Sequence, residues 1–200
     1  MEGRQIPGRT RPVSSPRPIG AGEQSVAALI AERARNLFAT RQMHCSEAVL
    51  VTLNRSLKGG LETRQALALA GPFAEGVGGT GCMCGAVGGA LMALGLFIGG
   101  TQPLRRRPKV RQATEQLMAE FKRRAGAPCC RLLSRRLAAG ATRHDHCAEL
   151  TATAAALAAE RILDHNPELA NALDVAFVTA RDCLPKGVIK QLLRCAGCAC

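Results

Sequence analysis

The chain has 200 residues, 47% of them apolar, yet only five Phe, no Trp and no Tyr; it carries ten Cys and a net charge of +12. That length and apolar content suit one domain whose core is built from Ala, Leu, Val and Gly, which favours close-packed helices over a β-sandwich. The composition excludes collagen, a wholly disordered chain and a protein that stacks nucleotide bases on aromatic platforms.

Residues 1–22 are rich in Arg, Pro, Gly and Ser, show no periodicity and read as a disordered basic tail. No apolar segment of signal-peptide length accompanies Arg4, Arg9, Arg11 and Arg17, so a cytoplasmic location is expected. Val26, Ala27, Ile30, Ala31, Ala34 and Leu37 recur at helical spacing and predict a helix over 23–40. A second helix is predicted over 45–57, with Ala48, Val49, Thr52 and Leu53 on one face, and a third over 61–70, stopping near Pro72.

The glycine cluster from Gly76 to Gly81 predicts a loop, with Thr80 as the N-cap of a helix over 82–98. The stretch Gly76 to Leu104 is free of charge. Its apolar run, Ala86 to Ile98, is too short to cross about 30 Å of hydrocarbon, so no membrane span is expected. Gly81, Gly85, Gly89 and Met92 form a stripe that admits another helix at close range, either inside a bundle or across the two-fold axis of a homodimer.

Val110, Ala113, Leu117 and Phe121 carry the helical pattern on to Gly126, a C-cap. A short helix is expected after Pro128, and another from His146 to about Leu163 behind an Asp145 cap. Asn166-Pro167-Glu168 predicts a further helical region over 167–183, ending before Pro185, and a last helical stretch leads to Cys195-Ala-Gly-Cys198-Ala-Cys200. No hairpin signal occurs. The expected fold is all-α: a compact bundle over 23–165 around a Gly-rich central helix, with a helical extension and Cys-rich tail over 166–200.

Ten cysteines without an export signal read as metal-binding or redox thiols rather than a disulfide framework. Cys45, Cys84, Cys130 and Cys147 each fall at a predicted helix N-terminus. The partial positive charge there is expected to lower a thiol pKa below its free value near 8.5. Four such ends brought together would make a pocket of thiolates. Any one of these residues alone reads more simply as a small buried hydrophobe.

Cys84-Gly85-Ala86-Val87-Gly88-Gly89, followed by Ala-Leu-Met-Ala-Leu-Gly-Leu, closely resembles the CGAxxG core of the redox-active C-GCAxxG-C-C family. His44-Cys45-Ser-Glu-Ala-Val-Leu resembles that family's first cysteine segment, Phe121 through Gly126 to Cys130-Arg-Leu-Leu the third, and Cys147 ahead of an Ala/Leu helix the fourth. The resemblance covers roughly residues 24–165. It implies four functional cysteines, Cys45, Cys84, Cys130 and Cys147, in a helical domain with redox or iron–sulfur chemistry. Cys129 adjoins the third position, and Cys130 is preferred because Arg-Leu-Leu comes directly after it.

Four Cys can ligate an iron–sulfur cluster or a structural zinc, whereas a redox dithiol needs only two in contact. Zinc ligands usually come in close sequence pairs. These four are scattered, which ranks an iron–sulfur centre for electron transfer first, a thiol/disulfide protein second and zinc third. Cys82 is a candidate resolving thiol or spare ligand. Cys183 with Cys195, Cys198 and Cys200 forms a candidate accessory, metal-scavenging or redox-sensitive set. Gly76-Val-Gly-Gly-Thr-Gly81 spells GxGxxG, but no strand precedes it and the next acid after Glu75 is Glu115, so no nucleotide site is expected. Ala199 stands after Cys198 where a c-type haem would need His. His44, His144 and His146 read as polar neighbours of the thiols more readily than as catalysts.

Between Thr101 and His144 twelve Lys/Arg face only Glu115 and Glu120, so most of the net charge lies there. This suits an acidic redox partner protein, or equally a solvated face; without Trp or Tyr, nucleic acid is disfavoured. The competing function is a binding module for an anionic partner, with structural or zinc-bound cysteines.

Overall fold

The computed structural model describes residues 25–100, 103–137 and 140–184. Among these the secondary structure is helical, with one isolated antiparallel bridge and no strand. The helices are α1 (Val26–Ala39), α2 (Cys45–Ser56), α3 (Thr63–Ala70), a four-residue turn α4 (Ala74–Val77), α5 (Gly85–Leu94), α6 (Pro103–Ala125), the single turn α7 (Cys130–Leu133), α8 (Arg143–His165) and α9 (Val175–Thr179). The all-α expectation holds. The basic tail 1–22, residues 185–200 and the helical stretch expected there lie outside the described residues.

α2 is the hub. Val49, Leu50, Val51 and Leu53 are all buried, so this helix is enclosed on every side. α5 packs along it and α8 closes the other flank of both, while α1 lies against α2 and α8. The core is chiefly small aliphatic. Ala154, Ala155, Ala158 and Ala159 of α8 are buried against neighbours that come close because nothing bulky holds them off. Gly89 meets α2 directly, where a β-carbon would run into the Ser46 carbonyl oxygen. A β-carbon at Gly85 would lie 2.6 Å from both the Cys45 sulfur and the Phe73 carbonyl oxygen. At Gly85 and Gly89 the stripe is therefore covered by the chain's own α2 and Phe73.

Three sequence boundaries shift. Thr80 does not cap α5; its hydroxyl donates to Gly76 O at 2.9 Å. Residues 81–84 instead run antiparallel to 128–131, and the helix starts behind Cys84 as N-cap. The reason is backbone: Gly78, Gly79 and Gly81 all take positive φ, which ends any helix there. α8 starts at Arg143 behind Thr142, whose hydroxyl accepts the Asp145 N–H at 3.1 Å, so Asp145 closes a capping box instead of being the cap. The region 167–183 is a 3-10 turn (Pro167–Ala172), then α9 to Thr179, then extended chain. Asp174 breaks it by capping α9, accepting the Phe177 N–H at 3.0 Å.

This C-terminal segment folds back onto the bundle. Phe177 is buried between the guanidinium groups of Arg33 and Arg55, 4.7 and 4.2 Å from its ring centre. Arg33, itself buried, donates to Asp182 Oδ2 at 2.6 Å. No helix among the described residues is long and apolar enough to cross a membrane.

Candidate functional site

Four segments far apart in sequence deliver Cys45, Cys84, Cys130 and Cys147 to the wall of one cavity of about 580 Å³. Cys45 is the first residue of α2, Cys84 the N-cap of α5 and Cys130 the first residue of α7. Cys147 lies further along its helix than expected, five residues into α8, because that helix starts at Arg143. Gly76, at φ +80°, makes room for the third thiol: a β-carbon there would sit 2.5 Å from Cys130 Cβ.

The other cysteines stand elsewhere. Cys129 turns away from the cavity and its Sγ donates to Gly81 O at 3.1 Å, which sets it apart from Cys130. Cys82 and Cys183 are exposed. Cys195, Cys198 and Cys200 lie outside the described residues. Among the described residues no group of three or more His, Cys, Asp or Glu is drawn together tightly enough to hold one metal ion.

Residues 43–161, more than half of the chain, match the family described as "Putative redox-active protein (C_GCAxxG_C_C)". The chain belongs to this family. No curated protein and no solved structure matches it.

In this C_GCAxxG_C_C domain the thiols do not behave as helix ends alone would make them. Burial pushes the Cys84 thiol up to about 12, and raises Cys45 and Cys147 as well. Charge on neighbouring thiols adds to the rise: Cys130 acts on the other three, and Cys45 acts on Cys84 and Cys147. The expectation of lowered pKa is thereby corrected for these three, because the lost hydration of a thiolate outweighs the donors at the helix end. The helix-end backbone does pull the other way, through Val87 and Ala86 at Cys84 and through Glu75 and Ser46 at Cys45, without outweighing burial.

Two contributors were not legible as site residues. Glu75 holds a left-handed backbone (φ 54°), as does Val77 (φ 60°), and this strained turn brings Glu75 to the cavity wall, where its backbone works against the rise of the Cys45 thiol. Nothing in a Glu side chain signals such a conformation. Arg143, counted only as bulk charge, lines the cavity with Cys147, and its positive charge works against the rise of that thiol. Its signal was present as the i, i+4 spacing of the two residues on α8. His144 also lines the cavity, stacked on Phe38 with centroids 4.9 Å apart and with Nε2 3.0 Å from Ala39 O. His44 precedes α2, where its N–H donates to Glu47 Oε2 at 2.8 Å, so its backbone serves the helix start.

Proposed function

We propose that Cys45, Cys84, Cys130 and Cys147 ligate an iron–sulfur cluster, and that the protein passes electrons through it to a partner. The observation that carries this reading is the meeting of four thiols from four separate segments at one cavity. Four Cys is the ligand number of the common clusters, and the backbone around the sulfurs is among the features that set a cluster's potential. The four thiols come from scattered segments, whereas structural zinc ligands usually come in close sequence pairs, and this favours a cluster over a single zinc.

Burial supports ligation over simple dithiol chemistry at Cys45, Cys84 and Cys147. A buried, protonated thiol is a poor nucleophile, whereas a coordinating metal deprotonates it outright. When bound, the cluster would supply one-electron transfer. The chain's part is to hold the four sulfurs, shield them from bulk water and place helix-end backbone N–H groups near Cys45 and Cys84. The exposed cations of α6 and its C-terminal side, Lys109, Lys122, Arg135 and Arg136 among them, suit an acidic redox partner.

Anaerobic reconstitution of the full chain with ferrous iron and sulfide tests the reading. Visible absorbance with matching iron and acid-labile sulfide is expected, with at least a threefold loss of iron in each of Cys45→Ser, Cys84→Ser, Cys130→Ser and Cys147→Ser. A protein that stays colourless, or a chromophore unchanged in Cys84→Ser and Cys147→Ser, would overturn it.

A further inference from the structure

Residues 81–84 and 128–131 run antiparallel about one isolated bridge, Met83 with Cys129, and three backbone bonds join the two segments. Cys84 N–H donates to Pro128 O at 2.8 Å, Cys130 N–H to Cys82 O at 2.6 Å and Arg131 N–H to Gly81 O at 3.0 Å. The bond from Cys130 N–H to Cys82 O sets these two residues across from each other, while the Cys82 N–H donates to Gly76 O at 3.1 Å. Opposite residues of an antiparallel pair lie roughly 4.5–5.5 Å apart at Cα, inside the span of about 4.4–6.8 Å that a disulfide bridges.

Side chains alternate along such segments and opposite residues share a face. Cys82 therefore lies on the same side as Cys84 and Cys130, which line the cavity, while it stands outside the lining and is exposed. Cys129 and Met83 take the other face, consistent with the Cys129 bond to Gly81 O. The two opposed thiols also differ in access: Cys82 is exposed, while Cys130 is half-buried at the cavity wall.

We propose that Cys82 and Cys130 are a thiol–disulfide exchange pair that links solvent to the cavity, with low-molecular-weight disulfides as the substrate class. The inference rests on the redox reading of the cavity only in taking Cys130 as one of its four thiols. The Cys82 thiolate attacks a disulfide RSSR, forming a Cys82–SR bond and releasing one RS⁻, which takes up the Cys82 proton. The Cys130 thiolate then attacks Cys82 Sγ, breaking that bond and releasing the second RS⁻, which takes up the Cys130 proton. Two cysteine thiols are oxidised to one disulfide and RSSR is reduced to two RSH, a balanced transfer of two electrons and two protons. Formation of the bond withdraws Cys130 from the four-thiol set, so the oxidised pair prevents loading of the cavity.

The test uses metal-free full-length protein titrated with oxidised glutathione, quenched by alkylation and mapped by peptide mass. A cross-link between the peptides carrying residues 82 and 130 is expected. It should persist in Cys84→Ser and Cys129→Ser and fall at least tenfold in Cys82→Ser and Cys130→Ser. A cross-link retained in Cys82→Ser, one lost in Cys129→Ser, or none in the wild type would overturn the pair. A second arm adds iron and sulfide after oxidation. Wild-type protein should incorporate at least fivefold less iron than its reduced form, and Cys82→Ser should be insensitive to the treatment. Equal sensitivity of both would overturn the link to the cavity. If no form of the protein takes up iron, the cluster reading fails while the cross-link arm still decides the pair. Iron uptake without a cross-link rejects the pair and leaves the cluster reading standing.

Discussion

At Gly89 a single β-carbon decides whether α2 and α5 can cross. The added atom would meet the Ser46 carbonyl oxygen and stand 3.0 Å from Val49 Cβ, and neither backbone nor a β-branched side chain can swing aside. Gly89→Ala is expected to cost about 1–3 kcal/mol through overpacking. Gly95 is the internal control, because it has ordinary helical angles and nothing within 4 Å of its added β-carbon. Gly95→Ala should gain roughly 0.5–1 kcal/mol by restricting the unfolded chain. Denaturant midpoints for the two variants measure both, and a shift in the same direction would reject the close-crossing argument. The sequence carried this distinction only in part. The stripe of small residues was visible, but Gly81 lies in the loop segment bonded to Arg131 and not in the helix, a difference set by its positive φ.

At the scale of the elements, α9 shows how a short helix is held by others. Its five residues cannot sustain a helix alone. Phe177 docks it, 7% exposed between Arg33 and Arg55, and the Arg33–Asp182 pair fastens the extended chain beyond it. Phe177→Ala is expected to cost about 3 kcal/mol and to hasten tryptic cleavage at Arg181, read as a time course beside the wild type. Unchanged cleavage would mean that the segment is held by other contacts. The sequence signalled helical character here through Asn166-Pro167-Glu168, yet it placed one helix where there are two pieces. Asp174 resembles any acidic helix residue until its carboxylate is seen to accept the Phe177 N–H.

Across the whole molecule, the thiols are sorted by their depth. Exposed Cys82 and Cys183 are expected to alkylate first in metal-free protein at neutral pH, and Cys84 last. With Cys84 raised to about 12 by burial, its thiolate fraction stays small up to mildly alkaline pH, and its labelling should rise only as pH climbs toward that value. Site-resolved alkylation with mass spectrometry checks the order. Fast labelling of Cys84 near neutral pH would show that the cavity opens freely to solvent.

The helical class and the four cysteines that line the cavity were legible in the chain alone. Both are local signals: apolar residues at helical spacing, and a thiol at or near the start of each of four helical runs. Arg131-Leu132-Leu133 also separated Cys130 from Cys129, and the structure places Cys130 at the cavity. The character of those thiols was settled only in the folded molecule. Helix ends suggested lowered pKa values, but a pKa is set by everything packed around the sulfur, and burial by α2, α5 and α8 raised three of them. The strained Glu75 turn and the meeting of Cys82 with Cys130 depend on segments about fifty residues apart, or on a backbone conformation among glycine neighbours. No pattern within a single window carries that information, because the chain meets itself there only after it has folded.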